Sequence, residues 1–175
     1  MRKQTKKVAL MGLLFALALI LNFVEQMLPS LPIAVPGVKL GLSNIVTMYA
    51  LIFLDAGSAF TITVLKGLSV MFMRGVVAAG MSLGGGLVSL ICMLLFYHLL
   101  VKPGGHSRVR LISMGIMGGI FHNVGQLAVS NMILNSAAAF AYLPVLLVSG
   151  VIMGFLTGTT LAMLYPYFKN YNSAK

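Results

Sequence analysis

The sequence predicts an all-α integral membrane protein, one domain over residues 1–175 with six transmembrane helices. Three observations lead there. Only 8% of the residues are charged and 59% are hydrophobic, with a mean hydropathy of +1.02; a soluble domain carries about 25% charged residues. Apolar runs of roughly 20 residues, the length that crosses a bilayer, recur along the chain. The basic residues fall at the ends of these runs, the pattern of a topology signal. A chain this poor in charge cannot cover a surface that faces water.

The first span is read at 8–28, VALMGLLFALALILNFVEQML. Its basic leader MRKQTKK imitates a signal peptide, but long apolar segments follow and no small-x-small cleavage site stands near its end. The second span, 40–55, is short. A tight turn, Asp55-Ala56-Gly57-Ser58, leads into the third, 56–73. The fourth is 82–101, the fifth 109–132 and the sixth 142–167. The last is long enough to tilt or to end in an interfacial belt, Tyr165-Pro166-Tyr167-Phe168. Residues 1–7 and 169–175 are short basic tails.

With six spans, three basic clusters fall on one side: Arg2, Lys3, Lys6 and Lys7; Lys102, Arg108 and Arg110; Lys169 and Lys175. The positive-inside rule makes that side cytoplasmic, so both termini are expected inside the cell membrane. The net charge of +10, from 12 basic and 2 acidic residues, is a membrane signal here and not a nucleic-acid footprint. Cys92 stands alone, which excludes an intramolecular disulfide and cysteine-based metal or haem-attachment motifs.

Small residues recur at helix-contact spacing: Gly12 and Ala16, Gly80 and Gly84, Gly115 and Gly119, and Gly150, Gly154 and Gly158. Such stripes let helices approach closely in lipid; most serve internal packing, and one on an outer face could dock a partner.

Polar residues inside the spans are the candidates for function. Lys66, in TVLKGLSV, lies mid-span, where a charge costs at least about 2.5–3.5 kcal/mol unless it faces a cavity or a partner. The alternative is a long snorkel to the interface. In HNVGQ, His122 and Gln126 share a helical face, with Asn123 beside them and Ser130 continuing the face. These groups either clamp helices together or wall a polar pocket. Lys39, Ser43, Asn44 and Thr47 enter span two behind a loop stiffened by Pro29, Pro32, Pro36 and Gly37. An ordered loop there would suit a lid over an outward-facing site.

The absences limit the chemistry. No phosphate-binding loop of the Gly-x-x-x-x-Gly-Lys-Ser/Thr kind is present, so the chain has no ATPase of its own. Glu25 and Asp55 are the only acids, too few for an aspartate-rich Mg²⁺ site or a carboxylate pair. No catalytic residues and no metal site are expected, and neither acid is expected well inside a span to couple protons or sodium.

VKLGLSNI (38–45), SLGGGLVS (82–89), HNVGQ (122–126) and LPVLLVSGVIMG (143–154) together resemble the Gx transporter family, also labelled heptaprenyl diphosphate synthase component I. That family looks like the substrate-binding S components of energy-coupling factor (ECF) importers. The resemblance implies a six-helix S-component-like bundle that binds a vitamin-, quinone- or prenyl-related molecule from the outer side. It also implies partners: a transmembrane coupling subunit and two ABC ATPases, which use the ATP. S components often carry Ala-x-x-x-Ala on span one; here Gly12 and Ala16 are the nearest match. The expected binding residues are Lys39, Asn44, Lys66, His122, Asn123 and Gln126. Lys39 and Lys66 would neutralise an anionic group, the amides would give directional hydrogen bonds, and His122 could donate, accept or ligate a centre such as haem. Two rivals are an accessory membrane subunit of polyprenyl diphosphate or quinone synthesis, and a non-binding scaffold of a redox complex.

Overall fold

A computed structural model describes residues 2–27, 41–134 and 137–173. These residues are almost entirely helical. The elements are α1 (Arg2–Met27), α2 (Asn44–Phe53), α3 (Ala56–Phe96), a π-helical turn (Tyr97–Val101), the single turn α4 (Lys102–Gly104), α5 (Arg108–Leu134), a 3₁₀ turn (Ala137–Tyr142) and α6 (Leu143–Ser173). Three helical stretches are long and apolar enough to cross a membrane: Gln4–Met27, Ala56–Gly104 and Phe140–Lys169.

The structure redraws several boundaries. Most of both basic tails is helix, as α1 starts at Arg2 and α6 runs through Pro166 to Ser173. The aromatic residues near that end do not form a simple outward belt. Tyr165 stacks on His106 (4.9 Å between ring centres) and Phe168 meets Tyr49 edge-on at 4.9 Å, while Tyr167 stays exposed. Helix α2 has only 10 residues, about 15 Å at 1.5 Å per residue, half of a hydrocarbon core of roughly 30 Å.

The loop expected between residues 73 and 82 is a single residue. Gly75 takes φ +83° and ψ 176° and breaks α3 into two limbs, 56–74 and 76–96. Only glycine adopts such a left-handed backbone without strain. The limbs fold back on each other: the side chain of Leu83 occupies the place of a Gly67 side chain, and a Cβ on Gly86 would lie 2.8 Å from Thr63. Val70, Ala78 and Ala79 close the hairpin near its tip. The residues after Gly75, VVAAGM, are apolar and hold the helix once φ returns to normal.

Helices α5 and α6 run antiparallel with their backbones in contact. A Cβ on Gly154 would lie 2.5 Å from the Gly115 carbonyl oxygen, and one on Gly150 would lie 2.9 Å from that of Gly119. A Cβ on Gly158 would meet Ile112 Cα at 2.8 Å. These two glycine stripes therefore serve internal packing. The Gly12 and Ala16 pair on α1 does not: both are exposed, and nothing in the described chain lies within 4 Å of a Gly12 Cβ.

One end of the bundle collects the basic groups. Lys7 pairs with Asp55 at 2.5 Å, tying the start of α1 to the α2–α3 turn. Asp55 also caps α3, accepting from the Ser58 backbone N–H at 2.8 Å. The Lys7 ammonium, then the Ser58 N–H, hold its carboxyl below the usual range. His106, beside Tyr165 and close to Lys169, brings the 102–108 segment and the end of α6 to the same region. Behind this basic end lies the main apolar core, including Leu14, Val46, Met48, Ile62, Met93, Leu111, Met114 and Leu161.

Candidate functional site

Above that core, toward the end away from Lys7 and Asp55, the interior turns polar. The hairpin of α2 with the first limb of α3 sets the register. Asp55 marks the turn, the Thr47 and Thr63 hydroxyls approach to 3.4 Å, and one turn further Lys66 Nζ donates to Asn44 Oδ1 at 3.3 Å. Lys66 is 1% exposed, so its ammonium is held inside the bundle and does not snorkel to an interface. Because α2 starts at Asn44, this contact lies at the inner end of a half-length helix.

Three backbone turns lead into that helix. Asn44 N–H donates to the Gly41 carbonyl (2.9 Å), Ile45 to Leu42 and Val46 to Ser43 (both 3.2 Å). Gly41 has φ +88°, open to glycine, and a Cβ there would sit 3.2 Å from Asn44 Nδ2 and 3.3 Å from His122 Cδ2. The Gly41 N–H donates to Glu25 Oε1. Glu25 is buried, two residues before the end of α1. Asn22, three residues earlier on α1, is buried with it.

Helix α5 supplies the facing wall. Gln126 Nε2 lies 2.9 Å from His122 Nε2. An amide nitrogen can only donate, so the imidazole accepts there and is neutral in this arrangement. Gly85 on α3 makes the seat, since a Cβ would lie 2.6 Å from Gln126 Cγ and 3.2 Å from His122 Cε1. Thus Glu25, Gly41, Asn44, Lys66, His122 and Gln126 form one chain of contacts across α1, α2, α3 and α5.

Asn123 does not join it. Its Nδ2 donates to the Leu146 carbonyl at 2.7 Å and to Ser149 Oγ at 3.1 Å, which fastens α5 to α6. Lys39 lies outside the described residues, as does the proline-rich loop. Sequence reasoning missed Glu25, Gly41 and Gly85. A faint signal existed in LNFVEQ, where Asn22 and Glu25 stand three apart in an apolar run and so share a helix face. Some donors remain open: Asn44 Nδ2 and Ser130 Oγ are buried without a hydrogen-bond partner among the described residues. Among those residues, no three His, Cys, Asp or Glu side chains group as a metal site would require.

The family model described as heptaprenyl diphosphate synthase component I matches residues 14–164. The chain belongs to that family. The match spans α1 to α6 and takes in every described residue of the polar cluster. No curated protein and no solved structure matches the chain.

Proposed function

We propose that this protein is the membrane-embedded substrate-binding subunit of an ECF-type importer. The observation that carries the reading is the division of the interior. A polar cluster around Asn44, Lys66, His122 and Gln126 occupies the middle and far part, and an apolar core seals the basic end. In a bilayer a buried ammonium and several amides are costly, and they mark a ligand path or site more often than a stabilising device.

In this reading the two limbs of α3 each cross the membrane, which makes six passes with the short α2. The basic end faces the cytoplasm and the polar cluster is reached from outside. The inner end of α2 then resembles the interrupted helices that transporters place at mid-membrane binding sites. The exposed face of α1, with Gly12 and Ala16, would meet the coupling subunit, and two ABC ATPases would supply the work. Chemistry in the chain itself has little to draw on: Glu25 is engaged with Gly41 and Asp55 with Lys7 and Ser58.

The test is purification from native membranes in mild detergent, with mass spectrometry of partners and small molecules. Co-purification of a coupling subunit and ATPases together with a stoichiometric small molecule supports the proposal. The family description favours a second reading, an accessory subunit of prenyl diphosphate synthesis. Recovery of a soluble synthase without ATPases would replace the first reading by this one.

A further inference from the structure

We infer that the basic end of the bundle binds an anionic phospholipid, with its headgroup phosphate at Lys102 and Arg108 and its acyl chains against the exposed aliphatic side chains beside them. This is independent of the importer reading. The sequence holds 12 basic residues and 2 acidic ones, so most of its cations lack an acid of their own. Asp55 is engaged with Lys7 and the Ser58 N–H. Glu25 stands 18 residues beyond Lys7 on the continuous helix α1, about 27 Å away at 1.5 Å per residue. Lys102 and Arg108 are exposed, and neither forms an ion pair among the described residues. Arg110 meets only neutral groups, as its Nη1 donates to the carbonyl oxygens of Gly104 and Gly105.

A topology signal needs positive charge alone and works from a loose loop. Here the cations stand on a fixed frame. Arg110 straps the turn at Gly104 and Gly105, where Gly105 takes φ +80°. Its backbone N–H donates to Ser107 Oγ at 3.3 Å, and His106 stacks on Tyr165 of α6 with the rings 4.9 Å apart and 12° from parallel. Lys102 and Arg108 flank this turn on either side. The chain next to them is apolar and exposed: Leu95, Leu99 and Leu100 before Lys102, and Val109 after Arg108. The cations therefore sit at headgroup level, with aliphatic surface deeper along the helices that carry them. A phospholipid has the same two ends. A zwitterionic headgroup would bring its own ammonium against Lys102 and Arg108, whereas an anionic one brings net negative charge, which basic residues at a membrane surface attract.

The experiment titrates the full-length protein, purified in mild detergent and stripped of lipid, with phosphatidylglycerol or with phosphatidylcholine of the same chains. Native mass spectrometry counts the bound lipid. Phosphatidylglycerol should bind at least about ten-fold more tightly. Arg108→Gln should weaken it about five-fold, and Lys102→Gln in addition should bring the loss to about twenty-five-fold. Arg108→Lys, which keeps the charge, should retain the binding. Arg74→Gln removes one charge at the opposite end of the first limb of α3 and should leave the affinity within about two-fold. Equal affinity for the two lipids overturns the inference, and so does an equal loss from Arg74→Gln and Arg108→Gln. Inorganic phosphate at the concentration of the lipid should displace none of it. Displacement by phosphate alone would assign the site to a free anion and overturn the lipid.

Discussion

Helix α5 buries polar residues on two faces, and the faces treat them differently. Toward α6, Gly115 and Gly119 bring backbones together and Asn123 donates twice across the seam, to the Leu146 carbonyl and Ser149 Oγ. Toward α2 and α3, His122 and Gln126 pair with each other, rest on Gly85, and stand near an Asn44 amide whose N–H has no partner among the described residues. The first face is a clamp whose contacts are largely backbone. The second also brings backbones close, a Cβ on Gly125 lying 2.8 Å from the Gly84 carbonyl oxygen, but it pairs polar side chains with one another, Gln126 with His122 and Lys66 with Asn44. In lipid, where apolar surface gives no preference for helix against bilayer, close backbone contact is what fastens helices. Capacity left open inside a bundle is what a ligand can use.

The sharpest way to break this contrast is to add side chains to the clamp. Gly119→Leu should destabilise the protein by the upper part of about 1–3 kcal/mol or prevent folding, because the backbone of Gly150 and Gly154 cannot yield as a side chain would. On the other face Gly118→Ala meets mainly the flexible end of Met93, at 2.7 Å, and should cost well under half as much. Thermal unfolding in detergent compares the two. Equal losses would remove the distinction.

Lys66→Met probes the charge balance of the open face. It leaves Asn44 Oδ1 without its Lys66 donor and removes the ammonium linked to Glu25 through Asn44 and Gly41, and should cost about 2 kcal/mol. Adding Glu25→Gln should recover at least half of that loss. A double variant no more stable than Lys66→Met would show that the two charges are not coupled.

Asn123→Leu and Gln126→Leu set the faces against each other directly. The first should lose about 1–2 kcal/mol of stability and leave ligand occupancy within two-fold. The second should change occupancy more than stability. The reverse ordering would make the His122–Gln126 pair the clamp.

The smallest effect belongs to the basic end. The Asp55 carboxyl is held low by Lys7 and Ser58, so its contribution is present above the ordinary carboxylate range and fades as pH falls through its lowered value. Both partners are about half exposed, at 46%, and such pairs contribute about 0–1 kcal/mol. Asp55→Asn should therefore flatten the acid side of the stability profile slightly. A loss as large as that of Gly119→Leu would mean the turn does far more than join two helices.

Much of this was legible without coordinates. Composition determines the solvent, so 8% charge already dictates helices that satisfy their own backbones in lipid. The three basic clusters could be assigned to one side, and their described members gather at one end. Spacing alone puts His122 and Gln126 on one face, and a charge at Lys66 marks an unusual interior. What only the tertiary structure decided depends on how helices rotate about their axes and where they reverse. The glycine seam with α6 turns α5 so that Asn123 faces Ser149, splitting HNVGQ into a clamp and a wall. Gly75 folds α3 back within one residue because its φ of +83° is closed to other side chains. The acid of the cluster comes from α1, 41 residues away from Lys66 in the chain, and no local pattern encodes a contact of that kind. Periodicity reports which residues share a face; packing selects which neighbour that face will meet.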